Sequence, residues 1–195
     1  VVEEVPEGEK KDTTKPLASS YSPKQVEMSW YAWWEKEGFF KPEYPLSNAS
    51  STNEKFIIPM PPPNVTGTLH LGHSMMASIE DSLTRFHRMR GKKVLYVPGC
   101  DHAGIATQVV VEKKIKKELN LTRHELGREK FLQRVWEWKQ QSGDRIYTQL
   151  KRIGVSSDWD RACFTMDAKF VNAVTEAFMR FYKDGLIFRD NRLVN

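Results

Sequence analysis

Two short apolar runs frame the centre of the chain: KFIIPM from Lys55 to Met60 and KVLYVP from Lys93 to Pro98. Each has the length of a strand and is read as one, the first as a buried strand. Between them Met76, Ile79, Leu83 and Phe86 fall three, four and three positions apart. That spacing keeps them on one helical face and predicts a helix from about Leu69 to Arg90 with a buried apolar stripe, closed by Gly91. A second helix is predicted from Gly104 to Leu119. Strand, crossover helix and strand make a βαβ unit, whose strands run parallel. Ligands on such sheets sit beyond the carboxyl ends of the strands. The two loops at those ends, 61–69 and 99–104, are also the chemically unusual ones.

Elsewhere the patterning is helical. QVEMSWYAWWEKEGFF, stopped by Gly38, predicts a short amphipathic helix, and KPEYPLSNASSTNE is turn chemistry. Thr122 to Ile153 reads as a long basic helical region broken near Gly143, with Phe131, Val135, Trp138, Ile146, Leu150 and Ile153 as its buried stripe. Trp136 is assigned to the core as well, and His87 and His124 to polar, solvated faces. SSDWDRACF is a loop leading to a strand-like end. Asp167 to Asp184 is a further amphipathic helix, and LIFRDNRLVN ends as a strand or hairpin arm. The polar, Pro- and Ser-containing residues 1–24 read as a flexible lead-in. The fold class is α/β with a parallel sheet, a βαβ unit and additional helices.

Composition narrows the classes without choosing among them. The 195 residues carry 30 Lys/Arg and 25 Asp/Glu, a formal charge of +5 that permits an anionic partner without demanding one. Two cysteines, Cys100 and Cys163, and no signal peptide point to a reducing compartment without a disulfide framework. No stretch approaches the ~20 apolar residues of a membrane span. Because the chain begins at Val1 and stops at Asn195, it reads as a piece of a longer protein.

The first loop begins PMPPPNVTGTLHLGH (59–73). Pro61, Pro62 and Pro63 fix φ and remove three donors, leaving carbonyl acceptors on a stiff segment. Gly67 gives freedom to turn, and Thr68 is a candidate helix cap, without the Glu or Gln that would complete a capping box. The first helical turn holds no acid where the macrodipole favours one. It holds His70 and His73 instead, on one face, so the helix end looks prepared for an external anion. A plain helix start with surface histidines is the competing reading. In PGCDHAGIATQ (98–108), Asp101 can bind an ammonium group or simply cap the next helix. His70, His73, Cys100 and His102 are zinc-compatible residue types, although their spacing matches no familiar finger.

These motifs carry a resemblance. His70-Leu71-Gly72-His73 resembles the HIGH signature of class I aminoacyl-tRNA synthetases. PPPNVTGTLHLGH, PGCDHAGIATQVVVEK, GREKFLQRVWEWK, DWDRACFTMD and RLVN together resemble the valyl branch of that family from about Tyr21 to Asn195. The resemblance implies the first half of a Rossmann-like nucleotide-binding catalytic domain over 25–195. It also implies ATP and valine as substrates, Mg2+ with the nucleotide, no tightly bound cofactor, tRNA(Val) as partner and a cytoplasmic enzyme. Protein partners would be met through regions outside these residues. It assigns His70 and His73 to catalysis, and Asn64, Thr68, His70, Gly72 and His73 to ATP, Gly72 by letting adenosine approach. Pro61, Pro62 and Asp101 go to the amino acid. The family's KMSKS-type lysine loop, its editing insertion and its anticodon-binding helices do not occur in these residues. An HxGH nucleotidyltransferase, or a non-enzymatic zinc or nucleic-acid-binding module, are the alternatives. The 12 Lys/Arg against 6 Asp/Glu in 112–152 fit either tRNA phosphates or a solvated charged face. The SSDWDRACFTMD segment matches the family with no chemistry attached.

Overall fold

The structure is a computed structural model that describes residues 5–16, 19–44 and 53–193. Most of the predicted turn segment before Lys55, and residues 1–4 and 17–18 of the lead-in, lie outside the described residues. The predicted βαβ unit is present: β1 (Lys55–Pro59), α3 (Leu71–Met89) and β2 (Lys93–Val97). β1 and β2 are parallel neighbours, with Lys55 opposite Lys93 and Pro59 opposite Val97. Pro98 interrupts β2, and the chain resumes as β3 (Gly99–Cys100), paired in parallel with β4 (Cys163–Phe164). The segment 93–101 therefore has a parallel neighbour on each side: β1 with its following loop, and β4. Gly99 is required by the second pairing, since a Cβ there would stand 2.9 Å from the Cys163 carbonyl oxygen.

Helices fill the rest. α1 (Pro23–Glu27) and α2 (Trp30–Glu37) replace the single predicted helix, because Ser29 turns the chain at φ 69°. α4 (Ile105–Leu119) matches its prediction. The long helical region breaks at Gly127, not Gly143, giving α5 (Arg123–Leu126) and α6 (Arg128–Arg152). Gly127 has φ 86°, a backbone suited to glycine, whereas Gly143 is buried inside α6. α7 (Ala168–Lys183) closes the set. Residues 186–193 form no strand, correcting the expected terminal arm: no described segment lies alongside to complete a ladder.

One core joins Met60, Val65, Ala77, Tyr96, Cys100, Ile146, Leu150, Val155 and Phe164, which puts α6 across the sheet beneath the two loops. A second small cluster, Val111, Ile115 and Phe131, packs α4 on α6. Several expected core positions are not in it. Ile79, Leu83 and Phe86 are 58%, 46% and 49% exposed, and the buried side chains of α3 are Ala77, Asp81 and Thr84. Ile153 and Trp136 are also exposed, and β1 is only half buried. His87 is not solvated on a polar face: its ring stacks 4.0 Å from Phe56. His124 is exposed as predicted.

The N-terminal residues dock on this core. Trp159 donates its indole N–H to the Tyr31 hydroxyl (2.8 Å), and Tyr31 in turn donates to the Val155 carbonyl. Burial raises the Tyr31 phenol well above its ordinary value, so it remains a donor. Lys151 pairs with Glu35 at 2.7 Å. Within the lead-in, the described residues before Pro23 contain no helix or strand, and Ser29 reaches back to the Val5 carbonyl at 3.0 Å.

Candidate nucleotide and amino-acid site

The proline loop is tied down along its length by backbone groups of neighbouring elements. Met60 N–H donates to Val97 O (2.9 Å), Asp101 N–H to Pro63 O (2.8 Å) and Val65 N–H to Asp101 O (2.9 Å). The loop thus extends the parallel pairing past the end of β1 as far as an isolated bridge between Asn64 and Asp101. α6 supplies two further anchors: Trp138 donates to Val65 O at 2.7 Å, and Gln149 accepts from Leu69 N–H at 3.0 Å. Three prolines alone would stiffen the segment; these bonds also fix where it lies.

Above the loop is an open cleft of about 410 Å³. Pro61, Pro62, Asn64, Thr68, His70 and His73 all line it, so most of the residues singled out in the sequence share one surface. Gly72 and Asp101 lie outside the lining. No lining residue is an acid, a lysine or an arginine.

The helix cap differs from the expected one. α3 begins at Leu71, and His70 rather than Thr68 is its N-cap. Nδ1 of His70 accepts from Gly72 N–H at 3.1 Å, and Nδ1 of His73 accepts from His70 N–H at 3.3 Å. The two imidazoles make reciprocal bonds of the capping-box kind, with no acid in the first turn. Their ring centres are 3.9 Å apart. A ring nitrogen that accepts a hydrogen bond carries a lone pair, so each neutral ring holds its proton on Nε2. Burial, and then the adjacent His70 ring, push the His73 pKa below 6.5 and favour that neutral form. The cap therefore presents two Nε2–H donors at the positive end of a helix.

Gly72 serves this arrangement directly. A Cβ there would meet Cε1 of His70 at 3.0 Å, so the missing side chain is what admits the imidazole.

In the second loop Asp101 does not cap α4, whose N-cap is Gly104 without a side-chain bond. Its Oδ2 accepts from Ala103 N–H at 3.1 Å, holding a turn in which Ala103 (φ 51°) and Gly104 (φ 45°) are both left-handed. Oδ1 accepts from the Thr165 hydroxyl at 3.0 Å. Thr107 fixes the same turn by donating to His102 O at 2.7 Å. Thr165 and Gln149 escaped the sequence reading, and Trp138, placed in the buried stripe, was not expected to bond the proline loop. Each reaches the site through tertiary packing, and the only signal for Thr165 was the unexplained family likeness of its segment.

Cys100 is buried and Cys163 half-buried, both as free thiols. Among the described residues no group of three or more His, Cys, Asp or Glu side chains is placed to share a metal ion, and no helix is long and apolar enough to cross a membrane. A separate groove lined by Lys113, Lys116, Arg123 and His124 carries part of the basic surface of α4 and α5.

Similarity to known proteins places the chain among the class I tRNA synthetases. The chain belongs to that family: residues 29–195 match tRNA synthetases class I (I, L, M and V). Among individual relatives it is 62% identical over 192 residues to the valine–tRNA ligase of Homo sapiens, covering 97% of this chain and 15% of that protein. It is 56% identical to the valine–tRNA ligase of Caenorhabditis elegans, over 97% of this chain and 18% of the relative. The mitochondrial valine–tRNA ligase of Sus scrofa is 57% identical over the whole chain and 18% of its own length. The chain thus spans less than a fifth of the relatives it matches. The LeuRS of Agrobacterium radiobacter K84, solved in a ternary complex with tRNA and LeuAMS, superposes with a TM-score of 0.61 at 23% identity. That match covers 83% of this chain and 18% of the other, and extends the likeness to the fold. The likeness continues through the helices after Gly104, so the nucleotidyltransferase and metal-module alternatives are not favoured.

Proposed function

We propose that residues 25–195 are the first part of the catalytic domain of a valine–tRNA ligase, preceded by a lead-in over 1–24. In the proposed reaction a valine carboxylate oxygen attacks the α-phosphorus of ATP. The bond from that phosphorus to the pyrophosphate oxygen breaks, leaving valyl-adenylate. The valyl group then passes to a terminal hydroxyl of tRNA(Val), with release of AMP. The observation that carries this reading is the acid-free, imidazole-capped end of α3 opening onto a cleft walled by prolines.

Charge develops on phosphoryl oxygens as the carboxylate attacks, and fixed donors aimed at that charge lower the barrier without reorganising. Nε2–H of His70 and of His73 fill that role, with Asn64 and Thr68 as further donors to ATP. The Pro62 carbonyl and Asp101 take the ammonium of valine, and Pro61 and Pro62 wall its side chain. The cleft lining offers no carboxylate, so Mg2+ would arrive with the phosphates rather than on this chain. Identity of 62% to the human valine–tRNA ligase against 57% to the human mitochondrial one supports a cytoplasmic location. Co-fractionation with a mitochondrial matrix marker would contradict it.

Valine-dependent exchange of pyrophosphate into ATP by the full-length protein carrying these residues is the direct test. No exchange with valine, or equal exchange with leucine, overturns the reading. The purified 195-residue chain is expected to give no useful exchange. Its cleft has no Lys or Arg to offset a triphosphate, and the apolar sides of α3 and α7 are exposed. Valine-dependent exchange by that chain alone would contradict this.

Gly72→Ala should disturb one bond in particular. The added methyl displaces the His70 ring, weakening its 3.1 Å bond to residue 72. A neutral hydrogen bond is worth about 0.5–1.5 kcal/mol, so KM for ATP should rise roughly two- to tenfold with little change for valine. A larger change for valine than for ATP would show that the glycine serves some other purpose.

A further inference from the structure

We propose that Thr165 is a positioning residue for amino-acid recognition: its hydroxyl orients the Asp101 carboxylate and, with it, His102. The inference rests on the assignment of Asp101 to the substrate ammonium and goes beyond it, giving a role to the segment 156–167.

The hydroxyl lies within bonding distance of three groups. It donates to Asp101 Oδ1 at 3.0 Å, accepts from His102 N–H at 2.9 Å, and lies 2.6 Å from His102 Nδ1. Proton accounting leaves one consistent arrangement for a charged carboxylate. A carboxylate can only accept, so the single hydroxyl proton goes to Asp101. Both lone pairs of Oγ1 are then occupied by donors, which makes His102 Nδ1 an N–H group and leaves Nε2 as the lone-pair end of the neutral ring. Asp101 Oδ2 is held meanwhile by Ala103 N–H at 3.1 Å. Each carboxylate oxygen is fixed by one donor, and its remaining lone pairs can take an ammonium.

Backbone pairing places the hydroxyl there. Thr165 N–H donates to Cys100 O at 3.2 Å and Cys163 N–H to Pro98 O at 3.0 Å, continuing the parallel pairing of β3 with β4. On the other flank, Asp101 is bridged to Asn64. Asp101 thus sits on the middle one of three parallel segments, held on one side by the proline loop and on the other by Thr165. Phe164 N–H also donates to Asp167 Oδ2 at 2.9 Å, which steadies the turn that follows.

The test is pyrophosphate exchange by the full-length protein in Thr165→Val, Thr165→Ser and Asp101→Asn forms, with Thr165→Val/Asp101→Asn as the double variant. Loss of a hydrogen bond to a charged group predicts a roughly ten- to hundredfold rise in KM for valine in Thr165→Val, with KM for ATP unchanged. Thr165→Ser keeps the hydroxyl and should restore valine binding. The double variant should be no worse than Asp101→Asn alone. If Asp101→Asn weakens valine binding but Thr165→Val does not, the positioning role is overturned while the Asp101 assignment stands. If Asp101→Asn leaves KM for valine unchanged, that assignment fails and this proposal fails with it. Equal losses for valine and ATP in Thr165→Val, not rescued by Ser, reduce Thr165 to a structural contact and also overturn the proposal.

Discussion

His73→Ala in the full-length protein should lower the proposed rate of valyl-adenylate formation by about a hundredfold or more, while KM for valine should stay nearly unchanged. The size follows from removing one preorganised donor to developing charge, which costs roughly 10²–10³ in rate. The competing effect is structural, because His73 Nδ1 also accepts from His70 N–H. That bond is 3.3 Å long, and losing a cap costs only about 0.5–2 kcal/mol of stability. The catalytic term should therefore dominate. Asn at the same position retains an acceptor and a donor, and His73→Asn should recover part of the rate. Parallel losses of adenylate formation and valine binding in His73→Ala would mean that the imidazole only builds the helix end.

The same ring gives a pH dependence with a definite sign. His73 has its folded pKa lowered from 6.5, first by burial and then by His70. In the interval below 6.5 the unfolded chain binds more protons than the folded one, so this contribution to stability rises with pH. It is fully present above pH 6.5 and is lost as pH falls through the lowered folded value. A protonated Nδ1 cannot accept from His70 N–H, so the cap opens over the same interval. The acid limb of the exchange rate should flatten in His73→Asn.

Much of this was legible in the sequence because it is local. Strand length, the βαβ order and the clustering of Pro61, Pro62, Asn64, Thr68, His70 and His73 follow from nearest-neighbour patterning, and the structure brings those residues onto one cleft. The stripe on α3 shows where such reasoning stops. Periodicity identified an apolar face at Met76, Ile79, Leu83 and Phe86, yet it cannot say which surface covers that face. In this chain the side of α3 turned to the core carries Ala77, Asp81 and Thr84. Asp81 there binds the backbone N–H and hydroxyl of Ser156 on a distant loop, a task that hydropathy does not encode. Thr165 was illegible for a related reason: its contact with Asp101 joins positions 64 residues apart and exists only once β4 lies beside β3. The capping histidines fall between these cases. Their spacing pointed to a shared face, but the absence of Glu or Gln concealed that imidazoles make the reciprocal bonds themselves.

Asp81→Ala should loosen the fold where α3 meets the loop 154–158. The carboxylate is buried in the middle of α3 and accepts from Ser156 N–H at 2.8 Å, from the Ser156 hydroxyl, and from Arg85 Nε at 2.6 Å. Arg85 continues to Gly154 O at 2.8 Å, and Arg88 donates to Ser156 O at 2.6 Å. Burial pulls the Arg88 pKa down to about 10, with Asp81 opposing the shift. Alanine would leave the buried Ser156 N–H and hydroxyl without their acceptor and remove the partner of the half-exposed Arg85. Leaving a buried donor unsatisfied costs about 1–3 kcal/mol, whereas the Asp81–Arg85 pair, with Arg85 45% exposed, adds only ~0–1 kcal/mol. Because the segment after Ser156 leads through Asp158 N–H on Tyr96 O to β4 and Thr165, the damage should spread along it toward the amino-acid site. Hydrogen exchange of the 154–158 amides in the full-length protein is the measurement. Protection there should fall by roughly one to two decades, with a smaller loss at β4 and little change in α4. Unchanged protection at Ser156 would mean that the loop is held by hydrophobic packing of Val155 and not by the carboxylate.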